Sequence, residues 1–241
     1  MSWRSQRVFA LVALVLVFGA PGRSDAEPAA ATGPLSDREV ERRTGFLVER
    51  LDRHRTHSRV WHWSWTAINA GAAVGLGVAG GLADETSDRV SYLSQAALAT
   101  LGLADLYLLR PLPARNGADA IRAMPGETSA ERRARLAQAE DLLKRSAWRP
   151  GGPRDLWPHI ANLVLNAAVG VAIWQAGSGT DGLIAGISGA ALGEIYLFGQ
   201  PTGWREDLEA YERFTSSAAR PPSPYWSLVP TRGDLALRYT F

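Results

Sequence analysis

The sequence has no cysteine and only four histidines among its 241 residues. Without thiols there is no disulfide framework and no cysteinyl metal site, although an oxidising compartment is still tolerated. A nucleophile elbow, a zincin motif and a Walker loop are missing too, so we expect no enzyme and no cofactor. His54 and His57 lie three apart, with His62 beyond them. Arg50, Arg53, Arg55 and Arg59 surround the pair, and that positive field disfavours a bound cation, so no metal is expected. Charge of one sign is also lacking. Arginine greatly outnumbers lysine, yet 26 basic residues face 24 acidic ones, for a net charge of +2. This balance argues against nucleic acid as a partner, despite a pI near 9.2.

What is present begins with an export signal. Arg4 and Arg7 precede an unbroken apolar run over 8–18, and Ser24-Asp25-Ala26 offers a small-x-small cleavage site. Residues 1–26 thus read as a bacterial-type signal peptide, the alternative being an uncleaved anchor. The run is about half the ~20 residues that a spanning helix needs. Residues 27–35 form a short linker of Ala, Pro, Thr and Gly.

The mature part reads as a duplication. Ser36-Asp37-Arg38-Glu39 and Thr128-Ser129-Ala130-Glu131 each open an amphipathic helix with a capping-box pattern. Tryptophan follows each (Trp61; Trp148 and Trp157), and then a nearly uncharged stretch, 60–83 and 156–180. Ala72-Ala73-Val74-Gly75 answers Ala167-Ala168-Val169-Gly170. Each copy returns through a second apolar stretch to an acidic-x-Tyr-Leu ending, Asp105 to Leu108 before Pro111 and Glu194 to Leu197 before Pro201. The copies span 36–113 and 128–203, joined by 114–127, with a short amphipathic helix over 204–219.

Apolar stretches of roughly 18–25 residues without alternation read as buried or membrane-spanning helices. The expected fold class is therefore all-α: an amphipathic helix plus an Ala/Gly-rich helical hairpin, repeated, giving a four-helix apolar core that is transmembrane. Gly71, Gly75, Gly77, Gly81, Gly182 and Gly186 fall at small-xxx-small spacings suited to close helix packing. Trp61, Trp63, Trp65, Trp157 and Trp204 lie near the stretch ends like an aromatic belt. One conflict stands out. A cleaved signal exports 36–59 and 110–155, yet these hold nearly all the Lys and Arg, whereas the hairpin turns carry Asp84, Glu85, Asp88 and Asp181 against Arg89. The positive-inside rule points the other way.

Asp105 and Glu194 are the candidate ion- or proton-handling residues, since an ionisable group in a spanning helix defaults to function. Paired about a pseudo-twofold axis, they would face each other and share a proton or a cation. The alternative is structural, as each lies shortly before a proline. Asn69 and Asn166 form a second pair, expected to hydrogen-bond within the bundle and fix its register. After the break at 221–224, the tail 220–241 turns β-like, with Leu235, Leu237, Tyr239 and Phe241 alternating. Over about seven residues this resembles the C-terminal signal strand of outer-membrane barrel proteins, although the alternating segments of a barrel do not precede it. A short hairpin turning at Arg232-Gly233-Asp234 is the alternative.

The expected protein is exported to the cell envelope and sits in its inner or outer membrane rather than the soluble periplasm. Its expected role is structural or assembly-related, with membrane lipid, envelope proteins and a second copy of itself as partners. The alternatives are a small ion or solute conduit and a soluble periplasmic scaffold or binding protein.

Overall fold

The computed structural model describes residues 35–149, 152–177, 179–219, 225–230 and 235–240. The expected signal peptide, the linker as far as residue 34, the proline-rich break and the expected turn at Arg232-Gly233-Asp234 lie outside the described residues. In chain order the elements are α1 (Asp37–Arg53), α2 (Arg55–Leu82), α3 (Thr86–Ala104), a π-helical turn (Asp105–Leu109), α4 (Asp119–Arg122), α5 (Ser129–Ala147), α6 (Leu156–Gln175), α7 (Gly179–Phe198) and α8 (Trp204–Ala219). Strands β1 (Tyr225–Pro230) and β2 (Leu235–Thr240) follow and pair antiparallel, with Leu228 opposite Leu237.

The amphipathic helices build a head. At α1 the Ser36 hydroxyl accepts from the Glu39 amide, while Arg42 and Arg43 hold the Glu39 carboxylate. At α5 the capping box is complete, with Thr128 and Glu131 exchanging side-chain-to-backbone bonds. Stripes at helical spacing then meet: Val40, Leu47 and Leu51 of α1, Leu136, Ala139 and Leu143 of α5, and Trp204, Leu208 and Tyr211 of α8. Ala114, Ala118 and Ile121 close this core from the connecting segment. Gly117, at φ +62°, makes the turn beside Asp52, whose carboxylate accepts from the Ala118 amide. Ion pairs between distant segments fasten the rim, Arg132 to Asp37 and Arg50 to Asp207.

From the head hang two hairpins, α2–α3 and α6–α7, whose four helices are long and apolar enough to cross a membrane. Their turns, at 83–85 and around Gly177 (φ +130°), lie at the far end from the head. The hairpins touch through α3 and α6. Between them an open cleft of about 270 Å³ is lined by Ser87, Ser91 and Gln95 of α3 and by Asp181 and Ser188 of α7.

The four apolar helices do not form the buried core that the sequence suggests. Little of their surface is covered: Leu82 and Leu108 are each 77% exposed, and Val74, Trp174, Leu183, Ile187 and Ile195 are exposed as well. The larger buried cluster sits in the head instead, and a smaller one of Trp61, Leu106 and Leu112, with Trp65 and Tyr196 against it, lies where the hairpins join it. Helices rich in Ala and Gly present too little side chain to fill a four-helix interior, whereas the amphipathic stripes carry Leu, Val and aromatic groups.

Candidate functional site

Asp105 and Glu194 lie where the apolar helices meet the head, whereas Asp88, Arg89 and Asp181 lie in the first turns of α3 and α7, at the far tips. Asp105 opens the π-helical turn, in which the amide of Arg110 reaches back to the Asp105 carbonyl at 2.8 Å. The widened turn brings Arg110 onto the Asp105 carboxylate. Its Nε donates to Oδ1 and its Nη2 to Oδ2, both at 2.6 Å, a forked pair of the strong charge-assisted kind. The Tyr196 hydroxyl of α7 donates to Oδ2 at 2.6 Å. Burial works against the charged guanidinium of Arg110, but the hydrogen bond and charge of Asp105 outweigh it, and its pKa is raised.

Arg149 lies next to this pair. Its Nε and Nη2 donate to the Arg110 carbonyl at 3.0 and 2.6 Å, and its Nη1 donates to Gln200 Oε1 at 2.8 Å. Its guanidinium carbon stands 5.8 Å from the Trp61 ring centre. The Trp61 indole in turn donates to the Tyr196 carbonyl at 3.3 Å. Burial pushes the Arg149 pKa down. On the other side of α2, Arg115 donates to His62 Nε2 at 2.6 Å. This bond requires a lone pair on Nε2, so His62 is neutral and carries its proton on Nδ1. Buried Nδ1 has no hydrogen-bond partner among the described residues and lies beside the Trp63 and Tyr107 rings.

Glu194 has a separate set of partners. His159 Nδ1 meets its Oε2 at 2.5 Å, and Asn162 donates to its Oε1 at 2.9 Å. The other ring nitrogen of His159 faces the Pro153 carbonyl at 3.1 Å. Both ring nitrogens thus face oxygens, and a neutral imidazole donates from only one. The His159–Glu194 pair therefore shares one additional proton, on the imidazole or on the carboxyl. Asn166, 6% exposed, donates to the Asn162 side chain at 2.8 Å and to its carbonyl at 2.9 Å. His159, Asn162 and Asn166 make a polar seam down α6, against Gly189 and Gly193 of α7.

Asp105 and Glu194 are not bonded to each other. Each is neutralised by its own basic partner at the head end of its hairpin. Asn69 donates to the Trp65 carbonyl at 2.8 Å, as Asn166 does to that of Asn162, and Gly102 of α3 packs on it as Gly189 packs on Asn166. Among the proposed packing glycines, Gly182 and Gly186 lie against Gly170, where a Cβ would come within 2.7 Å of the Gly182 carbonyl. Gly71, Gly75, Gly77 and Gly81 meet no neighbour within 4 Å; in the first hairpin the close approach falls on Gly80 and Gly102 instead.

Sequence reasoning missed Arg110, Arg149, Arg115 and the pairing of His159 with Glu194. The five-residue step from Asp105 to Arg110 was the available signal, because it matches the π-helical repeat rather than the α-helical one. No family model, curated protein or solved structure matches this chain, which leaves the side chains above as the basis for its function.

Proposed function

We propose that the protein is an exported integral membrane component of the cell envelope, a structural or assembly part whose folded head is presented to partners at the membrane surface. The observation that carries this reading is the division of apolar surface. The head buries its own Leu, Val and aromatic side chains, whereas the four long helices leave most of their large apolar side chains exposed away from the pairwise helix contacts, which in water is unfavourable on this scale. The two hairpins also share an asparagine seated on a glycine and an acidic-x-Tyr-Leu ending, which supports an origin by duplication.

A conduit built on Asp105 and Glu194 is less well supported. Both acids are neutralised locally, and the seam from Glu194 to Asn166 runs into the backbone contact of Gly170 with Gly182 before it reaches the tips. The orientation is set by residues 1–26. A cleaved signal exports the arginine-rich head, whereas the positive-inside rule holds it in the cytoplasm.

The test is fractionation of the expressed protein with an alkaline carbonate wash, together with N-terminal sequencing of the mature form. Retention in the membrane pellet with a start near Glu27 is expected. Release into the supernatant would make the apolar helices a surface for soluble partners and overturn the membrane reading.

A further inference from the structure

At the boundary between head and apolar helices, arginines stand over tryptophan rings and lack a carboxylate. Arg115 lies 5.6 Å from the centre of the Trp63 ring, Arg149 lies 5.8 Å from that of Trp61, and Arg205 lies 5.4 Å from that of Trp148. Among the described residues none of the three makes an ion pair, and exposed Arg59 near the start of α2 makes none either. Farther up the head, Arg42, Arg43, Arg122 and Arg132 are each fastened to a carboxylate, while Arg38, Arg133 and Arg135 make no ion pair among the described residues and have no tryptophan ring beneath them. Most acids at the boundary are already engaged, Asp105 by Arg110, Glu194 by His159, Glu206 by Arg154 and Asp207 by Arg50. Asp155 accepts from the Gly152 amide. The boundary thus carries an excess of positive charge on an element whose neighbours are exposed apolar side chains.

Resting on the membrane reading above, we infer that this boundary binds the phosphate groups of anionic phospholipids, with Arg115 and Arg205 as the contacting residues. The chemistry fits in three respects. A guanidinium is a planar fork that matches two phosphate oxygens. A guanidinium placed over an indole keeps edge N–H groups available: Arg115 spends one nitrogen on His62, and Arg205 makes no hydrogen bond among the described residues. Trp63 and Trp148, 54% and 66% exposed, are the residue type that settles at headgroup depth. Half-buried Arg149, held by a carbonyl and an amide oxygen, adds charge behind them and makes no ion pair among the described residues.

The experiment uses the full chain, purified in a non-ionic detergent and stripped of lipid. Its thermal midpoint is titrated with short-chain phosphatidylglycerol, short-chain phosphatidylcholine and inorganic phosphate. The protein is also reconstituted into vesicles of phosphatidylcholine alone or mixed with phosphatidylglycerol. Phosphatidylglycerol is expected to raise the midpoint at lower concentration than phosphatidylcholine. Arg115→Gln and Arg205→Gln should each weaken its apparent affinity roughly fivefold, the equivalent of about 1 kcal/mol per surface arginine. The lysine variants should lose less. Arg133→Gln, on α5 roughly 20 Å from Trp148 along the helix, should change nothing. Midpoints in phosphatidylcholine report whether each variant is folded. Equal response to the two lipids, or unchanged affinity in both glutamine variants, overturns the inference while the membrane reading stands. Stabilisation by inorganic phosphate alone overturns the lipid assignment in favour of a soluble anion. Failure to enter either kind of vesicle sinks the membrane reading itself.

Discussion

The Tyr196 hydroxyl donates a 2.6 Å hydrogen bond to the Asp105 carboxylate, the same carboxylate that Arg110 grips with two nitrogens. The end of the second hairpin is thereby fastened to the end of the first through one charged group. Asp105→Asn would take from the guanidinium of Arg110, 20% exposed, the carboxylate it forks onto, at a cost of up to roughly 3 kcal/mol. Tyr196→Phe removes one bond to a charged acceptor, about 1.5 kcal/mol. Because both changes act on the same carboxylate, the double variant should lose less than the sum. Denaturant unfolding in micelles measures all three, and strict additivity would mean that the tyrosine stabilises the fold by another route.

Glu194→Gln tests the alternative of ion handling. In sealed vesicles the native protein is expected to give no proton flux above background, and the variant none either. A flux that the substitution abolishes while the fold persists would overturn the structural reading.

The location of the core gives a contrast. Leu47→Ala, at a fully buried position of the head, should cost about 2–5 kcal/mol. Leu82→Ala, at 77% exposure, should stay within roughly 0.5 kcal/mol in detergent. Comparable losses at the two positions would place tight packing in the hairpins as well.

The long apolar helices, their hairpin turns and the capping box of α5 were legible because each rests on a local pattern of a few residues, whereas at α1 the Glu39 carboxylate turns to Arg42 and Arg43 and only the Ser36 half of the box forms. Where the core lies was not. Apolar character at 60–83 is the same whether a helix, lipid or solvent lies beside it, and only the gathering of Leu47, Leu143 and Tyr211 into one buried cluster shows which surfaces meet. Nor could sequence separate the two acids. Their matching positions suggested a shared site, but the partners that claim them, Arg110 for one and His159 for the other, sit at different offsets and on different sides. Glycine spacing could not separate its cases either, since Gly71 and Gly182 are each followed four residues on by another glycine, Gly75 and Gly186, yet have unlike neighbours in space.

Glycine substitutions make that last contrast measurable. A methyl group at Gly182 would strike the Gly170 carbonyl and the Trp174 amide, both backbone atoms that cannot swing away. Gly182→Ala should therefore part α6 from α7 and lower the unfolding midpoint. Gly71→Ala and Gly75→Ala meet nothing and should stabilise the isolated chain by up to about 1 kcal/mol through helix propensity. Should they instead weaken association in cross-linking, that face of α2 joins two copies.

Acid should loosen the head. The hydrogen bond from Arg42, aided by Arg43, brings the Glu39 carboxyl from 4.5 down to about 2. Asp37, bonded to Ser129 and Arg132, is lowered too, as is Glu131 by the Thr128 amide. For Asp52, burial opposes ionisation, but Arg122 and the Ala118 amide outweigh it. A carboxyl whose folded pKa is depressed contributes stability above its unfolded value and loses it as pH falls through the folded one. Thermal midpoints should therefore fall between about pH 4.5 and pH 2, with a shallower slope in Glu39→Gln. A flat profile across that window would show that these pairs do not support the fold.

The head is sewn together from both ends of the chain's helical part. Arg50 and Asp207, an ion pair, are 157 residues apart, and Trp204, Leu208 and Tyr211 complete a core begun by Val40 and Leu47. Everything between them must double back twice before α8 arrives at its place. The last stripe of the head core is thus supplied only after all four apolar helices in chain order, so the finished head joins segments that lie on both sides of both hairpins.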